Sequence, residues 1–428
     1  MKTSFYVENR RTFGNHMESG ELAVFLSGEV LRKSADDDYP FYANRNFVYL
    51  TGIEQRDSVL MLYKEGERLV EKLFILAPDA FEERWNGARI KPDVAAEKSG
   101  MKDIAYFDEW QPYLAEMVRK NRIRTIYLDI DHKEGRRNFN GADWMQKYIE
   151  TGYPWMKLKN ALPILKKMRL IKKPCEIEAL EQAERITKAG IVAMMEHSRP
   201  EMYEYQYKAE YDYALAQYGV LEPGFSSIIS AGKNNFCIHY DSYRGQAKDG
   251  DLVLNDVGVR WDYLVTDVSR AWPCNGKYTE RQKLLYECAY QTSQYMFGVL
   301  KPGLPMMDVD QMIKEYNFRQ LREAGVCKAF DEIGTYMWHG GAHHIGFDVH
   351  DMVSARDAMT AAGMVFCVDV GIYHEEWGIG FRLEDNCLVT ETGCENLSVM
   401  TPRTIEEIED TMQKGFVPGH CFSIEGNS

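Results

Sequence analysis

Three short stretches that mix acids or histidines with apolar residues constrain this chain more than any other feature. The first is Asp251-Leu-Val-Leu-Asn-Asp256-Val-Gly258, followed by Tyr263-Leu-Val-Thr-Asp267-Val-Ser-Arg270. Both runs are rich in Val, Leu and Tyr and are short enough for strands. A two-residue hairpin loop at Trp261-Asp262 would set Arg260 opposite Tyr263 and, four residues further out, Asp256 opposite Asp267. Directly opposed cross-strand residues have Cβ atoms roughly 4.5–5.5 Å apart. Two carboxylates that close, flanked by Leu254 and Val265, repel each other. A buried pair of like charges either shares a proton or holds a cation, and both outcomes are functional sites.

The second stretch is His339-Gly-Gly-Ala-His343-His344-Ile-Gly346-Phe-Asp348-Val-His350-Asp351, which places four of the ten histidines within twelve residues. Gly340, Gly341 and Gly346 let the backbone come close to whatever this segment serves. The third is Val365-Phe-Cys-Val-Asp369-Val-Gly371, then Gly380-Phe-Arg382-Leu-Glu384-Asp-Asn386. Side chains alternate along a strand, so Arg382 and Glu384 share one face while Phe381 and Leu383 pack on the other.

With 51 basic against 65 acidic residues, the net charge of −14 argues against nucleic acid or an anionic membrane as partner. No apolar run approaches the ~20 residues needed to span a bilayer. Met1 to Asn15 lacks the apolar core of a signal peptide. The nine cysteines are scattered, odd in number and without a Cys-x-x-Cys pair, which fits reduced thiols in the cytoplasm.

Residues 1–165 read as an amino-terminal α/β domain. Its strands are expected at Glu21–Leu26, Phe47–Leu50, Ser58–Tyr63, Leu69–Leu76 and Thr125–Asp129, with a helix from Trp110 to Lys120. Residues 166–413 read as a second domain. There Pro174 suits the first turn of a helix running to about His197, and another helix follows from about Glu201 to Tyr218. Thr279 with Gln282 and Asp308 with Gln311 read as capping boxes of two further helices, and a last helix runs from Thr404 to about Gln413. Residues 414–428 read as a tail. Helices alternating with antiparallel hairpins give an α+β class, with a curved antiparallel sheet backed by helices.

Taken together, these residues resemble the pita-bread metallopeptidases, the family of aminopeptidase P, prolidase, methionine aminopeptidase and the metal-free creatinase. The likeness to the aminopeptidase P branch runs over nearly the whole chain. It includes Ser34-Ala-Asp-Asp-Asp-Tyr-Pro40, Asn44-Arg-Asn-Phe-Val-Tyr-Leu-Thr-Gly52 and Glu83-Arg-Trp-Asn-Gly87 in the amino-terminal half.

The resemblance implies two divalent metals held by Asp256, Asp267, His343, Asp369 and Glu384. Asp256 would be terminal on one metal, Asp267 and Glu384 would bridge, and His343 and Asp369 would hold the second. Four carboxylates and one imidazole suit Mn, with Co, Zn or Fe as alternatives. Two such cations can activate a shared water for attack on a peptide carbonyl. His239 matches a histidine near the substrate, and His350 one that steadies the developing oxyanion or holds the substrate amide. His339 matches one in the leaving-group pocket, with an ordinary hydrogen-bonded loop histidine as the equal alternative. Arg382 is expected to support a ligand carboxylate. Trp85 reads equally as a packed tryptophan or as part of a neighbouring subunit's pocket in a homodimer or homotetramer.

One departure stands out. Asp369-Val-Gly371 replaces the family's Glu-Pro-Gly, whose glutamate is both ligand and general-base candidate. The shorter side chain is expected to weaken the second metal position. The activity implied is removal of the first residue from peptides with proline second. Hydrolysis of Xaa-Pro dipeptides, or a peptide-binding homologue without peptidase activity, are the alternatives.

Overall fold

The computed structural model describes residues 1–131, 141–351 and 358–414. By internal contacts the chain divides into Met1–Arg169 and Leu170–Ser428.

In the first unit a six-stranded sheet is built from β1 (Glu21–Leu26), β2 (Val59–Glu65), β3 (Arg68–Ile75), β4 (Ile104–Tyr106), β5 (Thr125–Leu128) and β6 (Lys157–Asn160). Its order is β4-β3-β2-β1-β5-β6. The strands β1, β2 and β3 pair antiparallel, while β4, β5 and β6 join in parallel. Leu22, Val24, Val59, Met61, Phe74 and Ile126 fill the core against helices Trp110–Arg119 and Ala142–Gly152. Each such side chain contributes about 1.5–3 kcal/mol by leaving water.

The strand expected at Phe47–Leu50 is instead the helix Arg45–Thr51. Asn44 Oδ1 accepts the N–H groups of Asn46 and Phe47, and Gly52 ends the helix at φ 70°. A short apolar run fits a buried helix as well as a strand, and the cap on one side with glycine on the other decides it.

In the second unit the sheet is antiparallel throughout. It comprises β7 (Ile228–Ala231), β8 (Leu252–Val257), β9 (Val268–Pro273), β10 (Val365–His374), β11 (Ile379–Val389) and β12 (Cys394–Asn396). The order is β10-β11-β9-β8-β7, with β12 on β11. Helices Pro174–His197, Glu204–Ala216, Glu280–Val299 and Met306–Glu323 accompany it, and their apolar residues join those of the sheet in one core. Thr279 and Gln282 form the capping box expected of them. Asp308 does not cap its helix, which starts at Met306 after Pro305, so Asp308 sits in the first turn. Of the expected tail only Lys414 is described, as the end of helix Ile405–Lys414. Among the described residues no helix is long and apolar enough to cross a membrane.

Candidate metal centre

The register of the sheet lines up a row of polar side chains. Asp369 on β10 pairs with Glu384 on β11, Glu384 with Ser269 on β9, and Ser269 with Asp256 on β8. Alternation then assigns the two faces. Phe366, Val368, Val370, Phe381 and Leu383 enter the core, so Cys367, Asp369, Arg382, Glu384 and Asn386 occupy the opposite face.

The expected opposition of Asp256 and Asp267 is corrected here. Arg260 pairs with Val265 and Trp261 with Leu264, so the turn is Asp262-Tyr263 rather than Trp261-Asp262. Both turn residues have positive φ, 47° and 78°. This is the backbone of the tight hairpin turns that match strand twist. The register moves by two residues, which keeps every side chain on its expected face but sets Asp256 opposite Ser269. Asp267 becomes a diagonal neighbour of Asp256, and the Asp256 carboxylate still acts on the ionisation of Asp267.

The histidine segment runs beside β10. Cys367 N–H donates to His343 C=O and Asp369 N–H to Gly341 C=O, both at 2.8 Å. A Cβ on Gly341 would stand 2.8 Å from the Asp369 carbonyl oxygen, so glycine is required for this approach. His343 Nε2 lies 3.3 Å from Glu384 Oε1 and 3.5 Å from Asp267 Oδ2. Asp267, His343, Glu384 and Cys367 each bring one donor atom within 4.8 Å of the others. Asp256 and Asp369 stand outside that group of four. Asp256 Oδ2 accepts from Arg382 Nη2 at 2.7 Å, and Asp369 Oδ2 lies 3.0 Å from His339 Nδ1.

Each of the five expected ligands keeps one buried atom with no hydrogen-bond partner: Asp256 Oδ1, Asp267 Oδ1, His343 Nδ1, Asp369 Oδ1 and Glu384 Oε1. Orphaned acceptors of this kind are costly in a protein interior. The electrostatics agree. Burial, then the Glu384 and Asp256 carboxylates, pushes Asp267 well above the carboxylate range. Burial and Asp369 raise Glu384. Burial also works against ionisation of Asp256, but Arg382 outweighs it and holds that carboxyl low. Burial disfavours the His339 cation too, yet Asp369 lifts its pKa to about 9. A centre of mutually repelling carboxylates with unsatisfied oxygens is what a divalent cation relieves, so the donor set fits metal ions.

The remaining expected residues fall on two sides. His239 and His350, both exposed, line a cleft of 280 Å³ with Asp256, Asp267, Phe225, Ser226 and Ile228. The His350 ring is 4.3 Å from that of His343. His339 is placed elsewhere, between Asp369 and Tyr373, whose Oη is 3.1 Å from His339 Nε2 and accepts from Arg382 Nη1 at 2.9 Å. Four residues of the site went unread in the sequence. Ser269 Oγ donates to Glu384 Oε2 at 2.8 Å, Tyr373 joins His339 to Arg382, Asn386 accepts from Asp267 N–H, and Cys367 enters the donor group. Strand parity alone could have found Cys367 and Tyr373 beside Asp369, and Asn386 beside Glu384.

Comparisons with known proteins give the family. Residues 178–391 match the description "Metallopeptidase family M24", and residues 6–127 match "Aminopeptidase P, N-terminal domain". The chain belongs to metallopeptidase family M24. Residues 6–127 match the amino-terminal domain of the aminopeptidase P branch, so the family and branch named from the sequence are the ones matched. This M24 chain is 29% identical to the Xaa-Pro aminopeptidase of Escherichia coli (strain K12), over 95% of its own length and 97% of the relative's. Among solved structures, one from Bacillus anthracis is 32% identical at a TM-score of 0.94, covering 98% of this chain and 100% of that one. Aminopeptidase P from E. coli, solved with the inhibitor Pro-Leu, is 28% identical at a TM-score of 0.87, covering 97% and 99%.

Proposed function

We propose that this M24 chain is a metalloaminopeptidase that releases the amino-terminal residue of Xaa-Pro peptides by hydrolysing the bond before proline. The observation that carries the reading is the set of five unpartnered buried donor atoms, one from each of Asp256, Asp267, His343, Asp369 and Glu384. Two divalent cations would be held there, Mn first among Mn, Co, Zn and Fe. When bound, they supply Lewis acidity toward a peptide carbonyl and activate water near neutral pH.

The chain's own residues do the rest. Arg382 fixes Asp256 by a charge-assisted hydrogen bond, and Ser269 fixes Glu384. Asp369 would take a proton from the attacking water, a role supported by its unpartnered Oδ1 and by His339 beside Oδ2. His239 and His350, on the cleft that reaches Asp256 and Asp267, orient the substrate amide. A cytoplasmic homodimer or homotetramer belongs to the same proposal. It is supported by Trp85 and Phe81, which are 73% and 66% exposed on one helix with rings 6.2 Å apart.

The test is hydrolysis of an Xaa-Pro-Yaa tripeptide, an Xaa-Pro dipeptide and an Xaa-Ala-Yaa tripeptide by metal-loaded protein. Release of Xaa from the first and poor turnover of the other two is expected. Preference for the dipeptide would favour the dipeptidase alternative. Equal rates on the Pro and Ala tripeptides would reject the proline requirement.

A further inference from the structure

We propose that Cys367 is a sulfur ligand on the His343 side of the metal centre, which makes that position a mixed nitrogen, oxygen and sulfur site for a borderline-soft divalent cation such as Zn²⁺ or Co²⁺. The inference rests on the metallopeptidase reading and adds a donor outside the five expected ones. Cys367 is fully buried, on the same strand face as Asp369, and its Sγ belongs to the group of four donors within 4.8 Å. Asp267 Oδ1 and Glu384 Oε1 lack hydrogen-bond partners, and His343 turns Nε2 toward both carboxylates, at 3.5 Å from Asp267 Oδ2 and 3.3 Å from Glu384 Oε1. Asp369, which the resemblance would put on this metal, has Oδ2 3.0 Å from His339 Nδ1 and stands outside that group of four, whereas the thiol stands inside it.

Asn386 prepares the sulfur. Its Oδ1 accepts from Asp267 N–H at 3.0 Å, which fixes the orientation of the amide. Its Nδ2 then donates both to the Asp267 carbonyl and to Cys367 Sγ, the latter at 3.6 Å. An N–H aimed at sulfur stabilises a thiolate, and the same amide holds the backbone of the neighbouring carboxylate ligand. A thiol that coordinates a divalent cation is deprotonated outright. The S–H proton passes to solvent and the sulfur lone pair to the cation. Soft thiolate favours Zn²⁺ and Co²⁺ over the harder Mn²⁺. The short Asp369 thus remains a deficit for Mn²⁺ and is offset for the softer ions.

The test loads chelator-treated protein with Co²⁺ under reducing, anaerobic conditions and follows its absorption. Visible ligand-field bands report Co²⁺ in the site, and a near-ultraviolet sulfur-to-cobalt charge-transfer band reports the thiolate. Both are expected in the unmutated protein, and in Cys367→Ser only the ligand-field bands should remain. In competition, Cys367→Ser should weaken Zn²⁺ binding by at least the about 10–100-fold that loss of an outer partner costs, and Mn²⁺ binding far less. Ligand-field bands without charge transfer in the unmutated protein would overturn the sulfur ligand and leave the metallopeptidase reading standing. Charge transfer that survives in Cys367→Ser would also overturn it. Failure to bind Co²⁺ at all would overturn both readings.

Discussion

The middle of the carboxylate row and its two ends are built differently. At the ends each acid has a cationic or protonatable companion: Arg382 at 2.7 Å from Asp256, and His339 at 3.0 Å from Asp369. In the middle, Asp267 and Glu384 share only the imidazole of His343, at 3.5 and 3.3 Å. Burial and the neighbouring carboxylates, Glu384 and Asp256 for Asp267 and Asp369 for Glu384, hold both of these acids above their ordinary range. The ends are therefore compensated by protein, and the middle requires something from outside. That contrast separates ligands whose charge the protein itself answers from ligands whose charge only a metal answers, while all four acids keep one oxygen without a hydrogen-bond partner.

The strongest way to break the contrast is to remove the metal. Chelation should abolish hydrolysis of Xaa-Pro-Yaa, and Mn²⁺ or Co²⁺ should restore it, as followed by release of the first residue. Full activity in protein shown to be metal-free would remove the need for an outside cation.

Next in size is the Asp256 end. Arg382→Met should destabilise the metal-free protein by about 3–5 kcal/mol in denaturant unfolding, because a buried carboxylate loses its partner. A bound metal should shrink that loss. An equal loss with and without metal would mean that Arg382 acts through packing and not through Asp256.

At the other end, Asp369→Glu lengthens the side chain that now turns to His339. It should raise the rate and tighten the second Mn²⁺ position, by up to about a hundredfold if a displacement near 1 Å is corrected. A fall in both would show that the site is rebuilt around aspartate.

The smallest effect concerns pH and the metal-free protein. His339 is raised to about 9 by Asp369 against burial, and burial raises Glu184 to about 8 and Glu176 to about 7. Each binds its proton more tightly folded than unfolded, so its contribution is lost as pH climbs through the folded value. His344, lowered by burial to about 3, acts with the opposite sign, and only below its unfolded value near 6.5. Between about pH 6.5 and 9 the Tm of metal-free protein should therefore fall. Metal-loaded protein should resist that fall, since metal binding needs the deprotonated ligands. A Tm that rises over this window without metal would contradict the assigned protonation states.

Much of this was legible in the sequence because strand alternation is insensitive to small register errors. The two-residue shift at Asp262-Tyr263 left Asp256 and Asp267 on one face, so the grouping survived although the opposition did not. Helix Pro174–His197 was readable from Pro174 and the apolar spacing that follows it. The helix Arg45–Thr51 was not, because Phe47–Leu50 carries no periodicity that separates helix from strand. Ser269 escaped because its role depends on pairing between strands distant in sequence, Glu384 being 115 positions away. Parity puts Cys367, Tyr373 and Asn386 on the face of Asp369 and Glu384, but their partners come only with the fold: Asn386, for instance, meets Asp267 across 119 positions.

The most direct measurement is a Mn²⁺ binding isotherm on chelator-treated protein, with hydrolysis of Xaa-Pro-Yaa followed in the same samples. The account predicts two inequivalent sites, the weaker on the His343 and Asp369 side, with activity tracking its filling. Two equally tight sites, or activity that is complete before any Mn²⁺ binds, would contradict it.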